Sequence, residues 1–83
     1  MEIRFHPHAQ KRMKERGATE DEARSTVEQG EQFPAKFNRN GFRRNFLFDG
    51  KWRGKHYKTK QIEAYAVRED AGWTVITIIT RYF

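Results

Sequence analysis

The hydrophobic period of this chain changes at Gly30, and that change constrains the fold more than any other feature. Before Gly30 the sequence reads in helical steps; after it, apolar residues recur in twos. Pro7 suits a first helical turn, where its missing N–H costs nothing. A helix is predicted from there to about Arg16, stopped by Gly17 in the usual C-terminal glycine position. Thr19-Glu20-Asp21-Glu22 is a capping box, with Thr19 as the cap and Glu22 three residues on. Its acidic residues also favour the positive end of a helix dipole. This second helix runs to about Gln29. Its thin apolar face, Ala23, Thr26 and Val27, predicts packing at an edge.

After Gly30, Phe33 to Phe37 reads as a short edge strand, because Pro34 fits only at an edge. Asn40-Gly41 and Asp49-Gly50 read as turns around Phe42 to Phe48. Trp52 to Tyr57 is interrupted by Gly54 and reads as a loop or a short strand. Lys60 to Arg68 and Trp73 to Tyr82 are the clearest strands, joined by Glu69-Asp70-Ala71-Gly72. Residues 2–5 are extended at most. The expected fold is therefore α+β: one domain over residues 1–83, with two N-terminal helices packed on a three- to four-stranded antiparallel sheet. A four-residue loop at Glu69 to Gly72 pairs Arg68 with Trp73, Ile62 with Ile79, Gln61 with Thr80 and Lys60 with Arg81. A slip of one residue would turn every side chain to the other face.

Composition narrows the partners. The formal net charge of +6 points to a polyanion such as nucleic acid, an acidic protein or a membrane surface, or to simple solubility. Twelve aromatic residues (seven Phe, three Tyr, two Trp) are too many for a disordered chain and supply most of the bulk for a core. The absence of cysteine excludes disulfides and thiolate metal sites and fits a reducing cytoplasm. No apolar run approaches the ~18 residues of a membrane span, so no membrane partner is expected. Three scattered histidines without a carboxylate pair match no metal pattern, and no cofactor is expected.

The residues with chemistry to offer begin on the first helix. His8, Arg12 and Arg16 stand at i, i+4 and i+8 and share one face. An imidazole that carries a proton near neutral pH then lies beside two permanent cations. That grouping suits a phosphodiester; the alternative is a solvated face on which Arg12 pairs with Glu15. Lys58, Lys60 and Arg81 add charge from the strands, and Tyr57, Tyr65 and Tyr82 offer rings or hydroxyls. Arg39, Arg43, Arg44, Lys51, Arg53, Lys55 and Lys58 are interleaved with Phe and Trp, as on a nucleic-acid surface. A charge run of this kind is also an edge-strand device against aggregation.

Three segments carry a family resemblance: His8 to Gly17, Tyr57 to Glu63, and Val75 to Tyr82. In that order they resemble the small prokaryotic family known as domain of unknown function 4258, itself similar to the RelE and ParE toxins. The resemblance implies a toxin-like, metal-independent endoribonuclease with His8 as acid or base. Arg12 and Arg16 would be its phosphate ligands, and Lys60 and Tyr82 supporting groups from the sheet. It implies RNA or the ribosome as target and an acidic antitoxin-like protein as partner. One departure stands out: such toxins begin with a clear strand, which Glu2 to Phe5 barely provides. The alternatives are a non-catalytic nucleic-acid or ribosome-binding module, with Arg43, Arg44, Arg53, Lys55, Lys58 and Arg81 as its contacts, and a protein-interaction domain.

Overall fold

In the computed structural model, which describes Met1–Phe83, strand β1 (Glu2–Phe5) precedes helices α1 (Pro7–Arg16) and α2 (Glu20–Gln29). Strands β2 (Glu31–Pro34), β3 (Asn40–Trp52), β4 (Lys55–Glu69) and β5 (Gly72–Tyr82) follow. Both helices start and stop where their local chemistry dictates. His6 caps α1 by accepting the His8 N–H at 3.1 Å, and Gly17 ends it in the left-handed region at φ 73°. Both bonds of the Thr19–Glu22 capping box form.

The sheet corrects the expected three- to four-stranded antiparallel arrangement. It has five strands in the order β1-β5-β4-β3-β2, and it is mixed, because β1 runs parallel to β5. The four residues of β1 are too few to show a period, yet Ile3 is buried opposite Trp73, and the His6 N–H donates to the Val75 carbonyl at 2.9 Å. A parallel pair needs a long crossover, and α1 through β4 supply it.

The turns also moved. Asn40-Gly41 opens β3; the reversal from β2 lies at residues 35–39, with Phe37 and Asn38 at φ 61° and 57°. Asp49-Gly50 sits inside β3 at a register shift, and the hairpin turns instead at Arg53-Gly54, with φ 51° and 84°. Two positive φ values make a turn whose twist matches that of the strands it joins. Arg68 faces Trp73 as expected, but a bulge then leaves Ile76 unpaired between Val75 and Thr77. Beyond it every expected partner shifts by one: Ile62 faces Thr80, Gln61 faces Arg81 and Lys60 faces Tyr82.

The core lies between the helices and one sheet face. Fully buried Ala9, Ala23, Ala64 and Ala66 let the helices sit close, and Ile62, Ile78 and Val75 fill the centre. The bulge puts Ile78, Thr80 and Tyr82 on this face and Thr77, Ile79 and Arg81 on the face that carries no helix. No helix is long and apolar enough to cross a membrane.

Candidate nucleic-acid interface

Three residues of the expected catalytic group meet at the α1–α2 turn. The Lys60 ammonium donates to the Gly17 carbonyl at 2.8 Å and to Glu22 at 3.0 and 3.1 Å, and its side chain is only 8% exposed. The Tyr82 hydroxyl donates to the Arg16 carbonyl at 2.9 Å, while the Arg16 guanidinium donates to the Ile78 carbonyl. Burial, and secondarily Glu22, push the Tyr82 hydroxyl up from its ordinary value, so it remains a donor. Each of the three ties the helix end to the sheet. Arg12 stands one turn back and pairs with Glu15 at 2.7 Å. His8 lies eight residues from Arg16, roughly 12 Å of helix rise; it is exposed and its ring makes no hydrogen bond. The stripe and the strand residues therefore do not converge on one point.

A different group does converge. Arg16, Trp52, Arg53, Thr80 and Tyr82 line a pocket of about 190 Å³ where the hairpin tip leans on the end of α1. Neither arginine has a carboxylate partner. The Thr80 hydroxyl oxygen is the one buried side-chain polar atom without a hydrogen bond. Trp52 stacks on Tyr82 with centroids 4.9 Å apart, and the Arg53 guanidinium lies 5.3 Å from the Trp52 ring centroid. Spare donors in a small pocket without a carboxylate suit an oxyanion. Trp52 and Thr80 were missed in the sequence, because only the shifted hairpin turn and the Ile76 bulge bring them to Arg16.

The six expected nucleic-acid contacts divide. Arg53, Lys55 and Lys58 are exposed along the hairpin, and none is in an ion pair. Arg44 turns to α2, where it bonds the Ser25 hydroxyl. Arg43 and Arg81 are drawn to Glu63 on the helix-free face, each at 2.8 Å.

Glu63 is the other residue the sequence left unremarked. Its side chain is 5% exposed, and it also accepts the Tyr65 hydroxyl at 2.9 Å. Burial pushes its carboxyl up, but the hydrogen bonds from Arg43, Arg81 and Tyr65 outweigh this and hold it below the ordinary 4.5. A carboxyl held low in the folded state stabilises the fold above its unfolded value and loses that contribution as pH falls through the folded one. Glu63→Gln is therefore expected to cost about 1–2 kcal/mol at pH 7. The gap from the parent should narrow in urea unfolding as pH falls below the ordinary 4.5. A gap of constant size across that range would contradict the assignment.

Comparison with protein-family models, with curated proteins and with solved structures returns no match to this chain.

Proposed function

We propose that the chain binds single-stranded nucleic acid, RNA in particular, at the tip of the β3–β4 hairpin. The observation that carries this reading is the pocket of Arg16, Arg53 and Thr80, whose donors lack an acidic partner. The non-bridging oxygens of a phosphodiester accept from those groups. Lys55 and Lys58 neutralise neighbouring phosphates, and the Trp52–Tyr82 stack offers a ring to an unpaired base. A duplex hides its base faces, which favours a single strand.

Affinity for a single-stranded RNA oligonucleotide should fall steeply with salt, with a log–log slope of about −0.7 per phosphate contact. Three contacts give about −2, and Arg53→Ala should lower the slope by about one contact. Fluorescence anisotropy across a salt series measures both, and a salt-independent affinity would defeat the reading. A DNA oligonucleotide of the same sequence tests the preference for RNA.

Cleavage by a toxin-like endoribonuclease with an acidic antitoxin-like partner is the second reading. It is favoured by the same pocket, since such donors would also stabilise a pentavalent phosphate. It needs a base, and His8, two turns along α1, has a free ring. RNA cleavage in EDTA that persists in the His8→Ala, Arg12→Ala double variant would rule out those roles.

A further inference from the structure

At the opposite end of β3, on the helix-free face, lies a second cavity of about 430 Å³. Its floor is Tyr65, Thr77 and Ile79, and its wall is Phe33 and the loop of residues 35–39. Phe33 is held in place from two sides, by the edge of Tyr65 with centroids 6.1 Å apart and by the Arg43 guanidinium 4.6 Å from its ring centroid. Phe37 is 82% exposed although it is a large apolar ring. Its backbone sits at φ 61°, where a bulky side chain is rarely found. Strain of that kind persists only where the surroundings impose it, and it gathers at sites that hold ligands. Lys36 and Arg39 also line the cavity; neither is in an ion pair, and no carboxylate is among the lining groups.

An exposed ring, a fixed ring and two unpaired cations around an apolar hollow call for a flat, apolar ligand that carries negative charge. We infer that this cavity holds one nucleotide of the bound strand, its base against Phe37 and Phe33 and its phosphate between Lys36 and Arg39. The inference rests on the single-stranded nucleic-acid reading and adds a base-holding site to it. The hairpin tip lies beyond the other end of the thirteen-residue β3. A mononucleotide therefore reports on this cavity separately from the phosphate pocket.

Adenosine monophosphate and ribose 5-phosphate, titrated separately into isotope-labelled protein and followed by backbone amide shifts, test the inference. The base should improve binding at residues 35–39 roughly tenfold, within the range for a base on an aromatic ring. Phe37→Ala should erase that advantage, and its exposed position leaves the fold intact. Lys36→Ala should weaken both ligands alike. Equal affinity for the two ligands, or an advantage that survives Phe37→Ala, would overturn the inference. So would a fatty acid that displaces the nucleotide from the loop. Failure here with an RNA salt slope still lowered by Arg53→Ala would leave the hairpin reading standing. Loop shifts with adenosine monophosphate but no RNA binding at the hairpin would show the reverse.

Discussion

Gly17→Ala is expected to lower the unfolding free energy by about 2–5 kcal/mol, one of the two largest single effects foreseen for this chain. Two costs add. The residue sits at φ 73°, where an L side chain costs roughly 1–2 kcal/mol. A Cβ there would also lie 2.6 Å from both the Trp52 ring and the Tyr82 hydroxyl. Neither can withdraw freely, because Trp52 stacks on Tyr82 and Tyr82 is bonded to the Arg16 carbonyl. Forcing a methyl into such a contact typically costs another 1–3 kcal/mol. Urea unfolding measures the loss, and a change below about 1 kcal/mol would mean that the hairpin tip does not rest on the helix end. Because Trp52 and Tyr82 line the pocket proposed to take a phosphate, the variant should also bind RNA more weakly while folded.

Lys60→Met is the second. It removes the ammonium that joins the Gly17 carbonyl to Glu22 and leaves both acceptors behind. Breaking one side of a fully buried pair costs about 3–5 kcal/mol. Glu22 is 24% exposed and regains water, so about 2–3 kcal/mol is the expected loss here. Thermal unfolding distinguishes this role from a catalytic one. A catalytic lysine could be replaced with little change in stability, whereas this one is expected to be missed before any substrate arrives. Since Gly17 and Lys60 support the same turn, their double variant should lose less than the sum of the two.

The features that were legible in the sequence were the local ones. Helix caps depend on residues three or four apart, so Thr19 with Glu22 and the stop at Gly17 could be read directly. The number of strands could not, because β1 gains its partner only when β5 is laid beside it. Asp49-Gly50 has the composition of a hairpin turn, but the paired stretch continues to Trp52 opposite Lys55, which puts the reversal at Arg53-Gly54. The bulge at Ile76 had the largest consequence. Regular alternation through β5 puts Arg81 opposite Lys60 and keeps Val75 and Arg81 on one face. The extra residue sends Arg81 to Glu63 and brings Tyr82 to Lys60. The grouping of Lys60 with Tyr82 was legible only through the family resemblance, because regular alternation sets Arg81 opposite Lys60. The separation of His8 from them was not, since nothing in the helix stripe says which sheet residues its far end overlooks.

The parallel pairing of β1 with β5 also governs the order of assembly. Ile3 and Phe5 are synthesised well before Trp73 and Val75, their partners in register. The helices and the β3–β4 hairpin contain mostly near-neighbour contacts and can form early. The sheet cannot close until β5 has been made. Contacts between such distant parts of a chain are slow to find. During translation the first strand therefore waits with its apolar side chains unpaired, which makes it the segment most in need of a chaperone or of rapid completion.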